Sequence, residues 1–156
     1  MKQVLLTTSL SLALSAVFGP VWAAPATDEG AAHLTEVFQR YLGTTEGVLA
    51  VEADGETYNV IIDAAAYAKL LPADAGVESA FSPLTLTLGD QGDGIWSVAI
   101  DQPFNAKFDG QRQIKFDYLA DQMTMNGTFD EALMAFRENS LKLSGVSVNE
   151  TLPMEP

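Results

Sequence analysis

One imidazole, no thiol and a surplus of carboxylates make up the reactive groups of this chain. His33 is the single histidine. An imidazole becomes a general base or a metal ligand only beside a nucleophile, a second acid–base group or further ligands. No Gly-x-Ser-x-Gly elbow supports a serine hydrolase. No Gly-x-Gly-x-x-Gly or Gly-x-x-x-x-Gly-Lys run is present to cradle a phosphate. The absence of cysteine excludes thiolate metal sites, thiol nucleophiles and disulfides. His33, beside Leu34 in an amphipathic segment, is expected to be a surface residue of a helix.

The carboxylates raise two further chemistries. The turn Gly89-Asp90-Gln91-Gly92-Asp93-Gly94 invites a calcium reading. An EF-hand loop needs oxygen ligands at alternating positions and a glycine at the sixth. Counted from Asp90, the third and fifth positions are Gly92 and Gly94 and the sixth is Ile95, so the pattern fails and a hairpin turn is expected instead. Glu52 and Glu56 flank Asp54-Gly55, yet a glycosidase needs two carboxyls facing one cleft with one of them buried. Acids at a hairpin tip are solvated. No catalytic residue, metal ligand or cofactor is therefore expected, and the chain is not expected to be an enzyme.

The apolar side chains leave one binding chemistry open. Tyr58, Trp96, Phe104, Phe116, Met123 and Met125 could line an apolar cavity beneath a sheet, where methionine adapts to greasy ligands. Phe108 and Tyr118 belong to the same set. The competing reading is a filled core.

The elements that would position these residues follow from periodicity. Thr27 or Asp28 caps a helix whose stripe is Ala32, Leu34, Val37, Phe38, Tyr41 and Leu42, and Gly43 ends it. From Gly47 the period changes to two. Asp54-Gly55 reads as a hairpin turn before a strand at 57–62. Asp63 can cap a short helix reaching Leu71, which Pro72 closes, and a loop follows at 73–76. Leu84–Leu88, Trp96–Asp101, Phe104–Asp109 and Ile114–Tyr118 alternate as strands, with Met123 and Met125 before Gly127. Residues 130–137 fit a short helix or a strand crossover. Leu141 and Leu143 begin a last strand. The fold class expected is α+β: a curved antiparallel meander with an N-terminal amphipathic helix packed on one face.

Residues 1–23 have the layout of a secretory signal peptide: Lys2, an apolar run to Phe18, a break at Gly19-Pro20, and Val21 and Ala23 at the cleavage positions. Ala24 is the expected mature N-terminus, and periplasmic export follows. A single β-rich domain is expected over residues 24–149, with a disordered tail at 150–156. No membrane span is expected after cleavage. Loss of Lys2 leaves seven Lys+Arg against 21 Asp+Glu, a mature charge of −14. Such a field disfavours nucleic acid and anionic lipid headgroups.

The runs Gly92-Asp93-Gly94-Ile95-Trp96-Ser97-Val98, Asp101-Gln102-Pro103 and Gly127-Thr128-Phe129-Asp130-Glu131-Ala132-Leu133 resemble the bacterial cell-envelope proteins grouped as domain of unknown function 2125. The resemblance spans roughly residues 48–148. It implies export and a β-rich fold, in proteins considerably longer than this chain, and it brings no catalytic residues. A looser likeness, at the level of fold, is to periplasmic lipoprotein carriers. Together these readings lead to the expectation of a non-enzymatic periplasmic module binding an apolar, lipid-like ligand or another envelope protein. The alternative is a structural or interaction β-domain, the N-terminal part of a longer protein, self-associating through its C-terminal edge strand.

Overall fold

Helix α1 (Asp28–Leu42) begins where Thr27 stops being helical. The Thr27 hydroxyl accepts the Gly30 N–H at 3.0 Å, satisfying one of the amides that a first turn leaves open. Asp28 and Glu29 in the first turn and Arg40 in the last complement the helix dipole. At the far end the Gly43 N–H donates to the Gln39 carbonyl at 2.8 Å. The computed structural model describes residues 25–70, 78–110 and 115–152. The signal segment, Leu71, Pro72, the loop at 73–76, Ile114 and residues 153–156 of the expected tail lie outside the described residues.

The segments with period two form, among the described residues, seven antiparallel strands: β1 (Leu49–Asp54), β2 (Thr57–Ile62), β3 (Glu78–Phe81), β4 (Leu84–Asp90), β5 (Ile95–Asp109), β6 (Lys115–Asp130) and β7 (Ala135–Thr151). A short helix α2 (Ala65–Ala68) lies between β2 and β3, with the Asp63 carboxylate accepting the Ala65 N–H at 2.9 Å. The strand order is β1-β2-β4-β5-β6-β7, and β3 pairs with β5 beyond the end of β4. The result is a curved, open α+β fold.

Strands β3 and β4 thus share one edge of β5, interrupted at Ser82-Pro83. Pro83 has no N–H for the ladder. The side chain of Gln102 fills the gap, donating to the Pro83 carbonyl at 2.8 Å and accepting the Thr85 N–H at 2.9 Å.

The strands depart from the expected pattern at three places. The two strands expected at 96–101 and 104–109 are one, β5, running through Pro103. That proline sits at a bulge, where the register shifts between Gln102 and Phe104 and two β6 residues, Asp121 and Gln122, face one on β5. Residues 131–134 are a tight turn, not a helix or crossover, so β6 and β7 form one long hairpin. Strand β7 pairs as far as Thr151 opposite Lys115, two residues into the stretch expected as tail, because β6 offers it a partner along its whole length.

The core lies between α1 and the sheet. Leu34 and Val37 are fully buried against Tyr58, Val60, Leu88, Trp96 and Phe129. Each such aliphatic side chain contributes about 1.5–3 kcal/mol of burial free energy. Ala31 is buried in place of the expected Ala32, which faces water. The approach at the helix start is close. A β-carbon on Gly30 would overlap the hydroxyl of Tyr58, which itself accepts the Thr27 N–H at 3.1 Å. Glycine is therefore what lets the first turn of α1 touch β2.

Candidate functional site

The six aromatic and methionine residues of the anticipated ligand site lie on one sheet face but do not form one site. Tyr58, Trp96 and Met123 are buried in the core, with the Tyr58 and Trp96 rings edge to face at 5.7 Å. Phe104 and Met125 pack half-buried at its margin. Phe104 meets the Tyr118 ring at 5.9 Å. Phe116 is exposed.

A different apolar group lines a half-open cleft. This cleft of about 320 Å³ lies between the end of α1 and the start of β7, lined by Phe38, Tyr41, Leu42, Phe129, Met134, Ala135 and Phe136. Its floor is aromatic. Phe38 stacks on Phe129 at 5.7 Å, and Phe136 meets Phe129 at 5.7 Å with the rings inclined by 63°. The Tyr41 hydroxyl is the one polar side-chain group among these seven. The volume is at the lower end of what small-molecule pockets offer.

The β6–β7 turn holds one wall of this cleft in place. Asp130, at the end of β6, is buried; it accepts the Leu133 N–H at 3.1 Å and the Arg137 guanidinium at 2.7 and 2.5 Å. The Arg137 hydrogen bond, helped by the Leu133 N–H, holds the Asp130 carboxyl below its ordinary value even though burial pushes the other way. Met134 closes the turn with φ at 51°, a left-handed conformation that costs a residue with a β-carbon about 1–2 kcal/mol. Glu131 ties the same turn to both layers. One oxygen lies 2.8 Å from His33 Nε2 on α1, and the other accepts the Trp96 indole N–H at 3.3 Å.

The apolar face continues past the reach of α1. Pairing register and strand pleat put Phe104, Ala106 and Phe108 of β5 on the helix face, with Ala120, Tyr118 and Phe116 of β6 opposite them. On β7 the same face carries Phe136, Leu141, Leu143, Val146 and Val148. The side chains of β7 are exposed at every position. A more polar hollow of about 370 Å³ lies over Gly127, between Asn126, Thr128 and residues 138–140.

The other reactive groups remain apart. Asp90 accepts the Gly92 N–H at 2.7 Å and closes its own turn. Glu52 and Glu56 are exposed beside the β1–β2 hairpin. Among the described residues no group of three or more His, Asp or Glu is placed to hold a metal, and no helix is long and apolar enough to cross a membrane.

The cleft escaped the sequence reading because it joins a helix end to a turn far along the chain. A local signal was present: Asp130 stands three residues before Leu133, the spacing at which a capping carboxylate accepts a backbone N–H. Comparison with protein families, with curated proteins and with solved structures finds no match to this chain.

Proposed function

We propose that this protein is an exported, non-enzymatic periplasmic module that binds an apolar, lipid-like ligand, with the cleft between α1 and β7 as the point of entry. The observation that carries the reading is the aromatic cleft itself: Phe38, Phe129 and Phe136 surround about 320 Å³ next to an apolar sheet face left partly open to water. A half-open apolar cleft with one polar handle suits an acyl chain or a small aromatic group, which gains affinity from area removed from water. The signal-peptide layout of residues 1–23 supports the location, and the surplus of carboxylates favours a neutral or cationic ligand over an anionic one.

The test is titration of the mature protein with a fluorescent fatty acid, together with native mass spectrometry of protein recovered from the periplasm. Saturable binding that Phe136→Ser weakens by up to about tenfold is expected, since an aromatic contact to the ligand is worth about 0.5–1.5 kcal/mol. Absence of bound lipid together with unsaturable, variant-independent fluorescence rejects the reading. A second reading, an interaction domain working through strand pairing, rests on a separate observation: the exposure of β7 along all its 17 residues.

A further inference from the structure

We infer that β7 is a self-complementary edge, and that two copies of this chain pair antiparallel through it about a two-fold axis at Leu141. The inference rests on the spacing of two irregularities in β7. Against β6, residue 128 pairs with Glu138 but Phe129 pairs with Phe136, so Arg137 is an extra residue that reverses the alternation of faces. At Gly145, φ is 61° and the alternation reverses again: Leu143 and Val146, three apart, both lie on the helix face, opposite Met123 and Ala120. Each irregularity stands four residues from Leu141.

A regular strand laid on this edge would lose its match of faces beyond either irregularity, because a one-residue slip turns every side chain over. A second copy of β7 carries the same irregularities in mirrored order. With Leu141 opposite Leu141, each Arg137 faces the other copy's Gly145, and the faces agree from Ala135 to Ser147. On the apolar face Phe136 then meets Val146 at both ends. On the polar face Ser140 meets Lys142 and Glu138 meets Ser144, which puts Glu138 on the diagonal to the second copy's Lys142, twice by symmetry. Diagonal cross-strand neighbours are close enough for long side chains to interact.

Charge favours the same occupant. The whole chain carries −13, whereas residues 135–147 hold Arg137 and Lys142 against Glu138 alone. Two acidic molecules thus meet across segments that carry no net negative charge of their own. Pairing would also join the two uncovered apolar faces into one surface.

The chain has no cysteine, so single thiols report the register without interference. Opposite residues of an antiparallel pair have Cα atoms about 4.5–5.5 Å apart, within disulfide range. Under mild oxidation Leu141→Cys should form a covalent dimer. Leu143→Cys should not, because symmetry separates the two copies of residue 143 by four residues along the strands, about 13 Å. A mixture of Asn139→Cys and Leu143→Cys proteins should cross-link to each other. By sedimentation the mature chain should dimerise. Lys142→Glu should weaken dimerisation about tenfold through loss of the two diagonal pairs. Adding Glu138→Lys should restore it. A monomer at all concentrations, or equal cross-linking at 141 and 143, overturns the inference.

Discussion

Nε2 of His33 on α1 lies 2.8 Å from a carboxylate oxygen of Glu131 in the β6–β7 turn. The other oxygen of Glu131 accepts the indole N–H of Trp96 at 3.3 Å. One side chain thus links the helix, the turn and the sheet, but its two contacts differ in weight. The His33 side chain is half exposed, and pairs of that kind are worth about 0–1 kcal/mol. The Trp96 indole is buried, and a buried donor left without an acceptor costs about 1–3 kcal/mol. Glu131→Gln keeps an acceptor for the indole and should stay within about 1 kcal/mol of the parent. Glu131→Ala should lose more. Urea unfolding of both variants is the check, and equal losses would show that water serves the indole.

Trp96 is 6% exposed, and its ring meets Tyr58 edge to face in the middle of the core. Trp96→Ala should destabilise the domain by about 3–5 kcal/mol, as aromatic truncations in cores do. In a chain lacking residues 1–23 it is the sole tryptophan, since Trp22 is removed. Its emission should therefore be blue-shifted and protected from iodide. Free quenching in the folded protein would contradict the packing.

The parts of this fold legible in the sequence are those set by neighbours in the chain. Thr27 caps α1, Gly43 ends it, and Asp54-Gly55 turns β1 into β2, because caps and tight turns are decided within a few residues. Trp96, Val98 and Ile100 share a buried face because the strand period is two. What stayed hidden depends on distant partners. Pro103 looks like a strand end until β6 supplies a bulge opposite it. β3 is four residues held by the far half of β5. Ala31, by contrast, is legible: it stands three residues before Leu34 and seven before Phe38, so the helical period alone puts it, and not Ala32, on the buried face. The cleft needs Phe38 and Phe129 brought together by the docking of α1, and no local pattern encodes that.

The Asp130–Arg137 pair should make the β6–β7 turn sensitive to acid. The folded-state pKa of Asp130 is lowered from 3.8, chiefly by its hydrogen bond with Arg137. A lowered folded pKa contributes stability that is present above the unfolded value and is lost as the pH falls through the folded value. Arg137→Met removes the largest lowering cause and leaves chiefly the Leu133 N–H to work against burial, so the carboxyl is lowered less. Acid unfolding followed by circular dichroism should therefore begin at higher pH in Arg137→Met than in the parent. In Asp130→Asn this group drops out of the titration altogether. An acid transition in Arg137→Met identical to the parent's would show that the pair does not couple to folding.

Gly30 and Tyr58 give the sharpest test of how α1 is seated. Glycine inside a helix is about 1 kcal/mol less favourable than alanine, so propensity alone predicts that Gly30→Ala stabilises the protein. The packing predicts the opposite, because an alanine β-carbon would overlap the Tyr58 hydroxyl. Relieving the overlap means displacing the ring that accepts the Thr27 N–H and packs against Trp96. Overpacking of this kind costs about 1–3 kcal/mol, so the net effect should be destabilising. Tyr58→Phe removes the hydroxyl and with it the nearest overlap, at the cost of the Thr27 hydrogen bond. Gly30→Ala should consequently be better tolerated in the Tyr58→Phe background than in the parent, a coupling that a double-mutant cycle measures directly. Additive effects of the two substitutions would mean that the helix start can shift away from β2 without loss. The close approach of Gly30 to Tyr58 would then be a consequence of the fold and not a constraint on it.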